Sequence, residues 1–163
     1  MNQHCGSANR RAAWLRYALL ASLQFALIPC TFGALGGTSD SVRADQSRMM
    51  ATIHSTDTRN YTIHEMTTPT GVVVREYVSS AGQVFGVAWQ GPFMPDMRQI
   101  LGSYFHQFST AAKAKRESRP NRSLLLIREP GIVVESSGHM RAYAGRAYDP
   151  RLLPEGVHEN EVR

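Results

Sequence analysis

The stretch Tyr61–Pro92, YTIHEMTTPTGVVVREYVSSAGQVFGVAWQGP, limits the fold of this chain more than any other. Three runs rich in Val, Tyr, Phe and Trp are separated by Thr68-Pro-Thr-Gly71 and Ser79-Ser-Ala-Gly82. β-Branched and aromatic residues suit a pleated, half-buried surface, and Gly71 and Gly82 can take positive φ where the chain reverses. The pattern predicts an antiparallel meander. Its alternation places Val72, Val74, Glu76 and Val78 on one face, with Val73, Arg75 and Tyr77 on the other. In the next run it places Phe85, Val87 and Trp89 together as core, opposed by Val84, Gly86 and Ala88.

A helix is expected from Pro95. Proline suits the first turn and Asp96 the positive end of the dipole. Met97, Ile100, Leu101, Tyr104, Phe105 and Phe108 recur at three- and four-residue steps and continue to Ala111 and Ala112. That stripe is wide enough to lie on a sheet. Arg98, Gln99 and Gln107 fall on its wet side. Gly102, unfavourable in a helix by about 1 kcal/mol, suggests a close crossing.

Further strands are expected at Ser123–Ile127, Ile132–Glu135 and His139–Tyr148, with turns at Arg128–Gly131 and Ser136–Gly138. Gly71-Val-Val-Val…Glu76 followed by Ser79–Gly82 echoes Gly131-Ile-Val-Val-Glu135-Ser-Ser-Gly138, as two similar hairpins flanking the central helix would. The expected fold is α+β: an antiparallel sheet of about five or six strands with one amphipathic helix packed on a face. Residues 61–148 form the domain, residues 34–60 a flexible or weakly helical leader, and residues 149–163 a surface tail anchored by Leu152, Leu153 and Val157.

Residues 1–33 have the layout of a secretory signal peptide. Arg10, Arg11 and Arg16 precede an apolar run from Tyr17 to Ile28, shorter than the roughly 20 residues a membrane span needs. Thr31 and Gly33 are small at −3 and −1 of a cut before Ala34. Two variants of this reading are a retained N-terminal anchor and a lipidated Cys30, since Leu27-Ile-Pro-Cys30 has the outline of a lipobox. The chain carries a formal +5 from 18 basic and 13 acidic residues. Removing the three arginines leaves 15 against 13, a net of +2. So small an excess argues against a nucleic-acid partner. Lys113–Arg122 is the one basic cluster, read as a solvated helix end or an anion or membrane-surface patch, without the interleaved aromatics of a nucleic-acid site. Cys5 and Cys30 both precede the expected cut, so the mature domain depends on its core rather than on disulfides.

Motifs for catalysis are sparse. His64-Glu65 opens like a metalloprotease helix, but position 68 is Thr68 and the context is a strand. No zinc spacing, phosphate loop, dinucleotide fingerprint or nucleophile elbow is present, and no metal or cofactor is expected. A site assembled from distant residues would draw on His64, Glu65, Glu76, His139 and Arg141. A small binding ledge would draw on Trp89 and Tyr77. The candidate binding residues are therefore Trp89, Tyr77, His64, His139 and Arg141.

Ala34-Leu-Gly-Gly37, Gly71–Tyr77 (GVVVREY), Val84–Pro92 (VFGVAWQGP), Pro95-Asp96 with Arg98-Gln99-x-Leu101-Gly102, and Ser137–Gly145 (SGHMRAYAG) together resemble a family of small exported proteobacterial proteins. It is a domain of unknown function of the DUF2844 type, and the resemblance covers nearly all the mature chain. It implies export and carries no catalytic residues to transfer. The expected function is a periplasmic or envelope module that binds a partner protein or ligand, or is structural, without catalysis. The alternatives are a hydrolase acting on envelope material and a lipid-anchored component. Membrane contact is expected only if the N-terminal segment is retained or Cys30 is lipidated.

Overall fold

The computed structural model of the protein describes residues 35–118 and 123–163. The signal segment, the expected cut, Cys30 and the Arg119–Arg122 part of the basic cluster lie outside the described residues.

The elements run in the order α1 (Ser39–Met49), β1 (Thr52–Asp57), β2 (Tyr61–Thr67), β3 (Val73–Ser79), β4 (Val84–Gly91), α2 (Met97–Leu101), a 3₁₀ turn (Gly102–Tyr104) and α3 (Phe105–Ser118). Strands β5 (Leu124–Glu129), β6 (Ile132–His139) and β7 (Ala142–Tyr148) follow, then a 3₁₀ turn at Glu159–Glu161. All seven strands form one antiparallel sheet, ordered β1-β2-β3-β4-β7-β6-β5. The α+β class is as expected. The strand count rises to seven because β1, TIHSTD, is an exposed edge strand without an apolar alternation to announce it. β1 and α1 both arise from the segment read as a leader.

The meander β1–β4 and the meander β5–β7 meet where β4 pairs with β7, Gly86 opposite Tyr148 and Trp89 opposite Gly145. The hairpins β3–β4 and β6–β7 thus flank one seam, as the echo between their sequences suggests. Gly71 and Gly131 enter them in the same left-handed conformation, φ 80° and 83°. The second hairpin turns later than its Ser-Ser-Gly motif implies. β6 runs on to His139, and Arg141 (φ 61°) makes the turn. Gly138 stays inside the strand, where a methyl group would sit 2.7 Å from the Tyr143 ring.

One face of the sheet carries the helices. Val74, Val84, Val87, Trp89, Val134 and Ala147 form this core with Val42 of α1 and Ile100 and Leu101 of α2. Met97, Tyr104, Phe105 and Phe108 pack against it, so the apolar stripe does point at the sheet. It is carried by two helices rather than one. Gly102 adopts φ 51° and breaks the run, a conformation that an L side chain rarely takes.

The other face is covered by the C-terminal segment. Tyr77, Phe85, Val133, Tyr148, Val157 and Val162 form a second core. The expected grouping of Phe85 with Val87 and Trp89 is corrected by a bulge. Tyr77 pairs with Gly86, but Val78 pairs with Val84, leaving Phe85 as the extra residue. The bulge swings Phe85 to the face of Tyr77 and returns Val84 to the face of Val87. Tyr61, Tyr77 and Phe85 then form an aromatic trio with ring centroids 5.6–6.0 Å apart. The tail locks onto it. The Tyr61 hydroxyl donates to Glu161 Oε2 at 3.0 Å, and the Arg163 amide donates to the Tyr77 hydroxyl at 3.0 Å. Burial and the Glu159 carboxylate push the Tyr148 hydroxyl up to about 12.

Candidate functional site

The helix face of β3 reads Val74, Glu76, Val78. The middle residue is a carboxyl fully buried among aliphatic neighbours. Asp45 of α1, also fully buried, comes down onto it. Gln99 of α2 donates from Nε2 to Asp45 Oδ1 at 2.9 Å, so Gln99 is not on the wet side as its helical phase implies. Both Glu76 oxygens and Asp45 Oδ2 lack a hydrogen-bond partner among the described residues. Two neighbouring carboxyls this deeply buried disfavour double ionisation, and a proton between them would satisfy both. Burial first, then the Asp45 charge, pushes Glu76 up to about 8. Burial also raises Asp45, to about 6, against the opposing pull of Gln99, Glu76 and Arg48. Both carboxyls are thus held above the usual carboxylate range, Glu76 further than Asp45.

A second polar cluster closes the far end of the helix face. Asp149, fully buried, accepts from the Tyr104 hydroxyl at 2.6 Å and from Arg151 Nε and Nη2 at 3.0 and 2.7 Å. Burial alone would raise this carboxyl, but the Arg151 and Tyr104 bonds outweigh it and hold it below the usual range. The Tyr104 bond ties the 3₁₀ turn to the end of β7, and the Arg151 ion pair neutralises the buried carboxylate.

The exposed apolar residues are not scattered. Met50, Phe93, Met94, Leu124 and Met140 are the large exposed hydrophobics of the described chain. The register Thr52↔Thr67, Val73↔Gln90, Gly91↔Tyr143 and Leu124↔Ser137 places all five at the same end of the sheet. There a groove of about 700 Å³ runs between α3 and the start of β5, floored by Met97, Phe108, Leu124 and Tyr143. Its lining includes Lys115 and Arg116 and no carboxylate. The Lys115 ammonium donates to the Leu126 carbonyl, which holds the charge against the edge strand. Beyond Met94 a smaller apolar hollow of about 440 Å³ continues past Phe93 to Met49 and Met50. A third hollow of about 770 Å³, on the other face, contains His54, Tyr61 and Arg163, with an ion pair between Arg75 and Glu65 at 2.7 Å.

The sequence-selected residues are placed apart. Trp89 is 2% exposed, its ring laid over Gly145, where a methyl group would meet it at 2.3 Å. Tyr77 is equally buried, on the opposite face, bonded to the backbone of Arg163. His64 is the cross-strand neighbour of Glu76 on the same face of the sheet and holds the Ser55 hydroxyl at 2.7 Å through Nδ1. Burial lowers its pKa, against the pull of Asp57. Glu65 pairs with Arg75. His139 and Arg141 are exposed at the β6–β7 tip. Of these candidates only Glu76 joins a buried polar cluster. Asp45, Gln99 and the groove were missed. A carboxylate inside a valine run was the signal for the first two, while the groove left none beyond the apolar Ser123–Ile127 edge.

Fold and sites thus define a single α+β domain of an antiparallel sheet with helices on one face, with an acid pair in its core and an open apolar groove at one end. The chain belongs to the DUF2844 family, proteins of unknown function, whose model matches residues 31–162. No curated protein and no solved structure matches it. Among the described residues no cluster of three or more His, Cys, Asp and Glu side chains could hold a metal ion, and no helix is long and apolar enough to cross a membrane.

Proposed function

We propose that this is an exported, non-enzymatic binding module whose working surface is the groove between α3 and β5. The observation that carries the reading is the gathering of every large exposed hydrophobic of the described chain at one end of the sheet, where Met94 and Leu124 line a concavity of ligand-binding size. Elsewhere the fold seals its apolar surface carefully, even using the C-terminal segment to do so. Export is supported by the basic and apolar N-terminal segment, which precedes the family match. The compartment is then the periplasm or the exterior, with the mature chain starting at Ala34. A hydrolase reading has less support, because Ser55 is exposed on the edge strand and Glu76 is sealed in the core.

Titration with a neutral apolar dye, N-phenyl-1-naphthylamine, tests the binding claim. Saturable fluorescence enhancement is expected, with loss in Leu124→Asp at unchanged melting temperature. Enhancement that survives that substitution places binding elsewhere. Cell fractionation with mass measurement of the N-terminus tests export, and a cytoplasmic, unprocessed chain refutes it.

A further inference from the structure

We propose that the groove takes a single free acyl chain bearing an acidic head, a fatty-acid-like amphiphile. This rests on the groove being the binding surface. Its lining combines apolar side chains with two cations. The floor is Met97, Phe108, Leu124 and Tyr143, and the α3 wall contributes Lys115 and Arg116 with no acid among the lining residues. An apolar floor recognises a hydrocarbon tail by area removed from water. Two cations in a lining that holds no carboxylate call for an anionic group on an otherwise apolar ligand. Lys115 is held in place by its bond to the Leu126 carbonyl and has further N–H donors for a head group. Arg116 offers a planar fork suited to a carboxylate. The flexible thioethers of Met94 and Met97 adapt to chains of differing length. A wholly apolar peptide would leave both cations without a counter-charge.

The test is displacement of N-phenyl-1-naphthylamine from the purified full chain by dodecanoate, with dodecanol as the neutral match. Dodecanoate should displace the dye about tenfold more effectively, the return on a charge-assisted contact. Arg116→Glu should erase that preference at an unchanged melting temperature, and Lys115→Met should reduce it. Equal displacement by acid and alcohol overturns the acidic-head inference and leaves the groove standing. Absence of dye binding overturns the groove itself. Co-sedimentation with phosphatidylglycerol vesicles without displacement by free dodecanoate also overturns the proposal, because the acyl source would then be a membrane surface.

Discussion

Glu76→Gln isolates the acid pair. In the native fold Glu76 keeps a proton up to about 8, whereas its ordinary value is 4.5. Between those limits the folded protein holds a proton that the unfolded chain releases. Stability from this group is therefore complete below pH 4.5, is lost as pH climbs to about 8, and is level above that. Each pH unit of that span corresponds to about 1.4 kcal/mol, so the full range amounts to about 5 kcal/mol. Asp45 acts in the same sense up to about 6. Water entry under α1 trims the total, and a fall of about 3–5 kcal/mol from pH 5 to 8 is expected, a large share of a normal folding free energy. His64 and Asp149 work the other way, since their native pKa values are lowered. The difference between wild type and variant removes them. Urea denaturation at half-unit pH steps is the assay. The variant, neutral at every pH and still able to donate to Asp45, should show a much shallower slope and exceed wild-type stability at pH 8 and above. Identical slopes in wild type and variant would refute the shared proton.

Two further substitutions test the two cores. Trp89→Ala should cost about 3–5 kcal/mol in chemical denaturation, because the ring fills the helix-side core over Gly145; a loss under 1 kcal/mol would place the indole outside the core. Val162→Asp puts a carboxylate against Gly86 under the C-terminal cover. It should cost about 3 kcal/mol and raise proteolysis of the tail, and an unchanged midpoint would mean the tail does not seal that face.

Much of the architecture was legible because period and turn chemistry are local. Val72, Val74 and Val78 against Tyr77 read correctly as two faces, and the stripe from Met97 to Phe108 read correctly as sheet-facing. Errors arose where a neighbour decided. Phase arguments carried past Val84 put Phe85 on the wrong face, since a bulge adds one residue without a mark in composition. Gly138 looked like a turn residue but serves the Tyr143 ring beside it, while Arg141 takes the positive φ. Gly102 looked tolerable inside one helix and instead divides two. β1 was invisible because this edge strand touches the core through Ile53 alone and needs no apolar alternation.

Alternation, helical phase and turn residues, all set within a few neighbouring positions, determined the α+β class, the antiparallel meander and the helix-bearing face. The tertiary structure alone decided that Asp45 descends on Glu76, that the C-terminal segment closes the second face, and that Lys115, Arg116, Phe108 and Leu124 line one groove. Those pairings join residues distant in the chain, and the burial that gives each its energy exists only once the sheet has formed.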